Sequence, residues 1–395
     1  MVRKHWFWPV LTSLIVGGFG LWLKSACAVS NWGSSAFTYT NLCYSDIGPL
    51  YFVRGLADGL VPYFDAFEGR HVEYPVLTGV WMWLTAQATV ALAGAANITT
   101  FVGLTWIVSL VFIAITVGII SKMSTGNRES AWWLALSPAL VMTLGINWDS
   151  LAVLSGVAAL YFFTKNKPDT AAIMIGVGTA AKLFPALLLV PIVAHLIARR
   201  NFVGVLRMGA ISFGTWAAIN APFIILAREG WWEFFEFSRT RGIDFGSIGL
   251  ALSYIWNINL TTSQANTLGL VAVGITALFV LVRGQSLSIY SGAFLVVAMF
   301  AITNKVYSPQ FWLWLTAILV LCNISRSAFI GWNIAQGLYF FAIWRFLLFQ
   351  LDPSQTGGLN NTEYGLAIVV HVLSTAVMMY LVATGPQNSQ KLRKK

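Results

Sequence analysis

Long apolar runs alternate with short polar stretches along the whole of this chain. Several runs can form a helix of about twenty residues, which crosses a hydrocarbon core of ~30 Å, and several others are too short for a straight crossing. The pattern predicts an all-α, polytopic membrane protein with about 11 to 13 transmembrane or re-entrant helices. Residues 1–395 form a single integral membrane domain in this interpretation. The predicted apolar segments, in which 131–145 with 151–163 and 171–181 with 183–197 are each one interrupted run, cover residues 6–23, 75–96, 101–120, 131–145, 151–163, 171–181, 183–197, 204–226, 248–256, 267–282, 289–302, 310–321, 328–350 and 364–383.

Two polar loops interrupt the apolar pattern, at residues 24–73 and 228–247. The first is predicted to face the extracytoplasmic side and to carry short interfacial helices, one of them starting at Ser45-Asp46 and ending near Leu56. The second contains an amphipathic stretch at residues 231–241. The first loop concentrates charge, because five of the fourteen carboxylates of the chain lie in it: Asp46, Asp58, Asp65, Glu68 and Glu73. This concentration makes the loop the candidate active site.

Two of the apolar runs are broken by charged residues. The run 136–163 is interrupted at Asn147-Trp148-Asp149, and the run 171–197 is interrupted at Lys182, three residues before a proline. Irregular backbone at membrane depth is tolerated only inside protein or beside a water-filled cavity. Both breaks are therefore predicted to converge on a cavity.

The basic balance of the chain, a formal net charge of +10, raises the question of a nucleic-acid partner. Its lysines and arginines lie in short linkers beside apolar runs, as membrane topology requires, and no nucleic-acid-binding motif is present. Lipids are the expected partners, and nucleic acid is not. The linkers at 165–167 and 199–207 and the C-terminal tail are predicted to be cytoplasmic.

The topology has one conflict. If Arg3 and Lys4 are inside, the first loop is outside, and simple alternation then places Lys122 and Arg128 outside as well, against the positive-inside rule. A re-entrant segment within residues 75–120 would remove the conflict.

The cysteines and the N-terminus leave alternatives open. Cys27 and Cys43 bracket the start of the first loop, and they are either a disulfide in an oxidising compartment or two unrelated buried thiols. The N-terminal run, with Ala26-Cys27-Ala28 after it, is similar to a signal peptide. An uncleaved first span is expected instead, because the run has full length and Lys24 follows it directly.

Asp46 is the candidate general base, since a carboxylate at the mouth of a cavity can take the proton of an acceptor hydroxyl. The alternative role is that of an ordinary N-cap. Arg54, on about the same helix face, is a candidate for the donor phosphate. Glu73 and Tyr74, where the loop re-enters the membrane, either bind the acceptor or sugar or cap the next helix.

Two lysines are further candidates for the donor phosphate. Lys182 lies between apolar stretches, where a lysine costs about 3 kcal/mol unless a cavity or partner receives it. It either binds a phosphate, snorkels to an interface or pairs with Asp149. Lys305 caps one apolar segment or meets a phosphate. The candidate acceptor- or sugar-binding residues on the membrane segments are Asp149, Tyr307 and Gln310.

Several motifs are missing from the sequence. It has no P-loop, no GxGxxG before a helix, no HExxH, no DxD and no CxxC. We therefore expect no metal and no cofactor.

As a set, the acidic first loop, the apolar segments and the lysines at broken helices resemble the GT-C class of membrane glycosyltransferases. More narrowly, the chain resembles the actinobacterial polyprenol-phosphate-mannose-dependent mannosyltransferases of glycosyltransferase family 87. Nearly the whole chain takes part in the resemblance. The motifs that carry it are CYSDIGPLY (43–51), VEYPVLTG (72–79), NWD (147–149), AAKLFP (180–185) and NKVYSPQ (304–310).

The resemblance implies an inverting transfer of a sugar, mannose or another such as arabinose, from a polyprenyl-phosphate donor to a glycolipid or glycan acceptor. The active site would lie on the extracytoplasmic side of the cell membrane, with Asp46 at the position of the family's general base. The two-carboxylate pattern of some GT-C relatives is absent, because Ile47 follows Asp46. A transporter or flippase of lipid-linked sugars is the alternative, since broken helices with intramembrane charges fit transport too. A non-catalytic membrane scaffold is a third.

Overall fold

The computed structural model describes residues 6–123 and 129–387, and this part of the chain is α-helical with no β-sheet. Short 3₁₀ turns at Ser25–Ser30, Phe184–Leu188 and Gly284–Ser286 join some of the helices. In the described residues the α-helices are α1 (Phe7–Lys24), α2 (Ala36–Thr40), α3 (Ile47–Val53), α4 (Val76–Ala93), α5 (Ile98–Ile120), α6 (Ser130–Ala135), α7 (Pro138–Thr143), α8 (Ser150–Thr164), α9 (Pro168–Ala181), α10 (Leu189–Ala198), α11 (Phe202–Leu226), α12 (Arg228–Thr240), α13 (Ile248–Trp256), α14 (Thr262–Arg283), α15 (Ile289–Thr303), α16 (Phe311–Leu319), α17 (Arg326–Leu351) and α18 (Asn361–Thr384).

Seven stretches of the described residues are long and apolar enough to cross a membrane. They are α4, α5, α11, α17 and α18, together with α1 and α14, each with the turn that follows it. Shorter apolar helices complete the bundle; α15 has buried residues along almost its whole length, and every residue of α16 is buried. The prediction of an all-α, polytopic membrane protein is confirmed. The helix α1 is part of this bundle, since Gly20 lies directly against the backbone of Val141.

Both predicted helix breaks are present. The chain leaves α7 at Thr143 and enters α8 only at Ser150, with the NWD motif between them. The chain also leaves α9 at Ala181, and Lys182 is fully extended, with φ −159° and ψ 148°. The 3₁₀ turn Phe184–Leu188 then leads into α10. Proline at position 185 cannot continue the hydrogen-bonding pattern of α9, so the lysine is held between two helical segments.

The first loop is a folded unit. Cys27 and Cys43 form a disulfide, their Cα atoms 5.8 Å apart, which decides between the two alternatives for this pair. The indole of the buried Trp32 donates a hydrogen bond of 2.8 Å to the carbonyl oxygen of Lys24. Helix α3 begins where predicted but ends at Val53 rather than near residue 56. It stops there because Gly55 adopts a positive φ of 63°, which turns the chain out of the helix.

The directions of α5 and α8 bear on the conflict between simple alternation of the helices and the positive-inside rule. The ring of Phe101, in the first turn of α5, stacks on Tyr51 of α3 at 4.2 Å, so α5 begins at the first loop. Trp148, just before α8, lies 6.5 Å from the same Phe101 ring. Helices α5 and α8 therefore run in the same direction, and Lys122 and Lys165 lie at the end of the bundle opposite the first loop. The chain leaves the loop at Tyr74 and returns to it at the start of α5. A path that starts and ends at the first loop places Lys122 at the opposite end of the bundle, as the positive-inside rule requires.

Several of the basic residues used in the topology prediction are not described by the structure. Arg3, Lys4, Arg128 and the C-terminal tail lie outside the described residues.

Most of the second polar loop is the helix α12, an amphipathic element as predicted. Its glutamates at 229, 233 and 236 recur at helical spacing on one face, which leaves the aromatic residues for the other. The helix rests on the first loop. At Gly230 a side chain would overlap the backbone of Tyr63, so only glycine permits this close approach.

Candidate active site

Asp46 is fixed by the turn between α7 and α8. Its backbone N–H donates to the carbonyl oxygen of Ile146 at 2.9 Å, and the hydroxyl of Ser45 donates to the carbonyl oxygen of Gly145 at 2.7 Å. Asp46 occupies the N-cap position of α3, but its side chain accepts no capping hydrogen bond from that helix. The carboxylate is therefore available for other contacts. Its side chain does not act as the N-cap of α3.

The amide of Asn147 connects Asp46 to Tyr74. Its nitrogen donates to Asp46 Oδ2 at 2.8 Å and to the hydroxyl oxygen of Tyr74 at 2.9 Å. The two hydrogens of one amide group are thereby both used. Tyr44 also forms a hydrogen bond with the Asp46 carboxylate. Asp46 is only partly exposed, and its carboxylate lies within this polar shell.

Lys182 and Asp149 form an ion pair beside this shell. The Nζ atom of Lys182 lies 2.7 Å from Asp149 Oδ1 and 3.4 Å from Asn147 Oδ1. It also lies 5.0 Å from the centre of the Tyr74 ring. The indole of Trp314 donates to Asp149 Oδ2 at 3.0 Å. The pairing of Asp149 with Lys182, one of the alternatives from the sequence, is the arrangement in the structure. The buried aspartate thus has both oxygens occupied.

The pKa values of the loop residues follow from this enclosure. Burial raises the pKa of Asp46 above its usual value, and the hydrogen bonds from Asn147 and Tyr44 and the charge of Lys182 oppose the rise only in part. Burial and then the charge of Asp46 raise the pKa of Tyr74 well above its usual value. Tyr74 is therefore a neutral hydroxyl, whereas the Asp46 carboxylate has more affinity for a proton than an exposed aspartate. A general base benefits from that change.

Arg54 and Glu73 pair with each other instead of joining this cluster. Two guanidinium nitrogens of Arg54 contact the two carboxylate oxygens of Glu73, each at 2.6 Å. Each side chain is 13% exposed. Because the fork of Arg54 is occupied, a phosphate would have to compete with Glu73 for it. The pair fixes the residue before Tyr74 and so helps to orient that ring.

Lys305, Tyr307 and Gln310 are positioned elsewhere. The ammonium of Lys305 donates to the carbonyl oxygens of Ser238 and Arg239, at 2.9 and 3.2 Å, and so closes the C-terminal end of α12. Tyr307 has no exposed surface, and its hydroxyl lies 3.1 Å from that of a buried threonine on α18. Gln310 precedes α16 and is partly exposed. In this conformation Lys305 and Tyr307 support the fold, since backbone carbonyls and core side chains are their partners.

The sequence reasoning missed Tyr44, Asn147 and Trp314 as members of the site. The sequence marks Asn147 as part of a helix break and of the NWD motif, and an asparagine two residues before Asp149 inside an apolar run is a signal for a buried polar contact. Nothing in the sequence distinguishes Tyr44 or Trp314 from other aromatic residues. Across the described residues, no group of three or more histidine, cysteine, aspartate or glutamate side chains is arranged to hold a metal ion.

The chain was compared with models of known protein families. The model of glycosyltransferase family 87 matches residues 72–309, which is more than half of the 395 residues. The matched stretch contains Tyr74, Asn147, Asp149 and Lys182, whereas Asp46 lies before it. It also extends over most of the membrane bundle. The chain therefore belongs to glycosyltransferase family 87 and is a multi-pass membrane glycosyltransferase.

Proposed function

We propose that this enzyme transfers a sugar, mannose, from a polyprenyl-phosphate carrier to a hydroxyl of a glycolipid or cell-envelope glycan, with inversion. The observation that carries the proposal is the Asp46 carboxylate, held by Asn147 and Tyr44 beside the Lys182 ammonium. A proton acceptor and a cation within one small shell are what this reaction needs. Mannose as the sugar rests on the resemblance of the motifs to the mannosyltransferases of the family.

In the proposed reaction, the acceptor hydroxyl gives its proton to Asp46 as its oxygen attacks the anomeric carbon. The bond between that carbon and the phosphate oxygen breaks, and its electron pair leaves with the polyprenyl phosphate. Attack from the side opposite the leaving group inverts the anomeric centre. The raised pKa of Asp46 supports its role as the base, because the carboxylate must hold the proton after the attack.

Lys182 is the proposed partner of the leaving phosphate. An ammonium has three N–H donors, and two of them are accounted for by Asp149 and Asn147. The third can donate to a phosphate oxygen as negative charge develops there. Asp149 positions the lysine in this scheme, and Tyr74 lies at the boundary of the sugar site. Arg54 and Lys305, both engaged with protein partners, have no step in the scheme.

We place the site on the extracytoplasmic face of the cell membrane. The disulfide Cys27–Cys43 belongs to the same folded loop as Asp46, and disulfides form and persist in oxidising compartments. Lys122 and Lys165 lie at the opposite end of parallel helices, where the positive-inside rule expects cytoplasm.

The test is sugar transfer by the purified protein, with synthetic polyprenyl-phosphate sugars as donors and a membrane glycolipid extract as acceptor. Asp46→Asn removes the base but keeps the shape of the side chain, and we expect kcat to fall by about 10²- to 10⁴-fold. Asp58→Asn is the matched control, because Asp58 is an exposed carboxylate of the same loop. Lys182→Met should also reduce kcat, while donor binding is followed separately.

Transfer that survives Asp46→Asn would place the base elsewhere. If the wild type transfers no sugar from any prenyl-phosphate donor yet moves labelled lipid-linked sugars across liposomes, the enzymatic proposal is wrong and a flippase takes its place. Mannose is tested in the same assay by comparing donors that differ only in the sugar.

A further inference from the structure

An arginine without a protein partner lies on α17. Arg345 is partly exposed, and its guanidinium forms no hydrogen bond, ion pair or ring contact with any residue that the structure describes. The loop between α17 and α18 passes close to it, because a side chain at Gly357 would lie 3.8 Å from Nη1. By contrast, Arg54 and Arg241 are each paired with a carboxylate. The guanidinium of Arg345 is therefore available to an anion from outside the protein.

The carboxylates nearest to Arg345 along the chain are used by other groups. Asp352 accepts hydrogen bonds from the backbone N–H and the hydroxyl of Ser354, at 2.9 and 2.7 Å, and from the amide of Gln355 at 3.1 Å. Glu363 closes the capping box at the start of α18. Both acidic side chains thus satisfy donors of their own segments, and neither neutralises the arginine.

Arg345 lies on the face of α17 that is turned toward lipid. Ile334, Leu338 and Phe341 are 59%, 60% and 42% exposed. They recur at intervals of four and three residues, and Arg345 follows Phe341 by four, so all four side chains share one face. Helix α17 is a candidate span that ends at Leu351, about 9 Å further along the axis. An arginine this close to the end of a span can extend its head group to the level of the lipid phosphates.

This end of α17 is also the end at the proposed active site. The ring of Trp344, the residue before Arg345, packs at 5.3 Å from Tyr44, and the hydroxyl of Tyr44 bonds to Asp46. Trp344 also stacks on Tyr39 of the first loop at 6.3 Å. The positive-inside rule disfavours a cation at the extracytoplasmic end of a span. Membrane topology therefore gives no reason for an arginine here, whereas an anionic ligand would.

We propose that Arg345 binds the phosphate of an anionic glycolipid acceptor in the outer leaflet. The inference rests on the proposed function, and it deepens it by naming the class of the acceptor, a lipid whose sugar is joined to it through a phosphodiester. The planar fork of a guanidinium can hold two phosphate oxygens. With its phosphate at Arg345, such a lipid keeps its tails along α17 and directs its sugar over the first loop toward Asp46.

A phospholipid of the surrounding bilayer has the same phosphate but no sugar that could reach Asp46. If it occupied Arg345, replacing the arginine would not change the preference of the enzyme between anionic and neutral acceptors. The donor phosphate is assigned to Lys182 and does not require Arg345. A change in acceptor preference is therefore the result that distinguishes an acceptor at this position from a bulk lipid.

The test uses the full-length protein in phosphatidylcholine nanodiscs, with a prenyl-phosphate sugar as donor. A membrane glycolipid extract, separated into phosphate-containing and neutral fractions, supplies the acceptors. We expect Arg345→Gln to raise the KM for the phosphate-containing fraction about 10- to 100-fold, from the loss of hydrogen bonds to a charged group. The KM for the neutral fraction, the donor KM and kcat should stay close to wild type.

Two further variants make the comparison specific. Arg345→Lys keeps the charge but not the planar fork, so it should recover part of the lost affinity. Arg239→Gln is the matched control, because Arg239 is an exposed arginine at the same end of the bundle that pairs with Glu236 of its own helix; its acceptor KM should equal that of the wild type. Since the guanidinium of Arg345 has no protein partner among the described residues, the Tm of Arg345→Gln should not fall.

A second membrane composition tests for bulk lipid at the site. The assays are repeated in nanodiscs that contain phosphatidylglycerol, and the difference between the two acceptor fractions should persist. If Arg345→Gln reduces transfer only when phosphatidylglycerol is present, or reduces transfer to both fractions equally, a bulk lipid or a structural role explains the residue and the acceptor assignment is wrong.

The possible failures are distinguishable. If the wild type transfers no sugar from prenyl-phosphate donors, the proposed function fails and the acceptor assignment fails with it. If the wild type is active but uses only the neutral fraction, or if Arg345→Gln has the acceptor KM of Arg239→Gln, only the acceptor assignment is overturned.

Discussion

The hydroxyl of Tyr44 provides the sharpest test of the Asp46 assignment. Tyr44→Phe removes one of the two hydrogen bonds that stabilise the ionised carboxylate, while the ring that packs at 5.3 Å from Trp344 stays in place. A hydrogen bond to a charged group contributes about 1.5–3 kcal/mol. One pKa unit corresponds to about 1.4 kcal/mol, so the pKa of Asp46 should rise by about one to two units.

The direction of the change in activity follows from the role of the base. Asp46 must be ionised to accept a proton, so a higher pKa moves the acidic limb of kcat/KM toward higher pH. Activity should fall most at low pH and recover toward the wild-type plateau as the pH increases. The other groups that influence Asp46 electrostatically, Lys182 and Asp149, are unchanged in the variant. Tyr74, which shares the Asn147 amide with Asp46, is unchanged as well.

The assay is the pH dependence of kcat/KM with saturating acceptor, for wild type, Tyr44→Phe and Tyr39→Phe. Tyr39 is a matched control, because its ring also packs near Trp344, at 6.3 Å, but its hydroxyl bonds to Ser34. An acidic limb that stays in place in Tyr44→Phe, or moves toward lower pH, would refute the reasoning. A loss of activity that is equal at every pH would show a structural role for the hydroxyl instead.

Two further predictions concern the first loop. Replacing both Cys27 and Cys43 by serine should lower the Tm and destabilise the protein by about 3 kcal/mol, the value for a loop of this length. In the wild type, a maleimide should react at these two positions only after the disulfide has been reduced. Arg54→Met leaves Glu73 as a partly buried, unpaired carboxylate and should cost about 2 kcal/mol after allowance for solvent screening. Adding Glu73→Gln should restore most of that stability in thermal unfolding, and no recovery would show that the pair contributes little.

The sequence predicts much of this architecture, because charges inside apolar runs are costly and so carry information. Lys182 and the NWD motif each mark a place where a helix stops, and both breaks are in the structure. The acidic first loop was recognised from its five carboxylates. Its position against the α7–α8 turn could not be recognised. That position depends on contacts such as the one between Asp46 and Asn147, which are 101 residues apart.

Apart from the Lys182–Asp149 pair, which is one of the alternatives from the sequence, most side-chain partners could not be predicted for the same physical reason. The sequence makes Arg54 a candidate for the donor phosphate, and only the folded loop brings Glu73 within 2.6 Å of it. Lys305 could cap a helix or meet a phosphate, and it closes the end of α12, an element whose position the sequence does not give. Charge and spacing predict that a cation needs a partner. Tertiary packing decides which partner it has.

Biosynthesis must assemble the Asp46 cluster from widely separated parts of the chain. Asn147 follows Asp46 by 101 residues, and the indole of Trp314 is made 165 residues after Asp149. At about 5–20 residues per second, synthesis of that stretch takes on the order of tens of seconds. The two cysteines of the first loop are only 16 residues apart, so their disulfide can close early in that interval. The loop can thus be a covalently closed unit before the residues that complete its site have been translated.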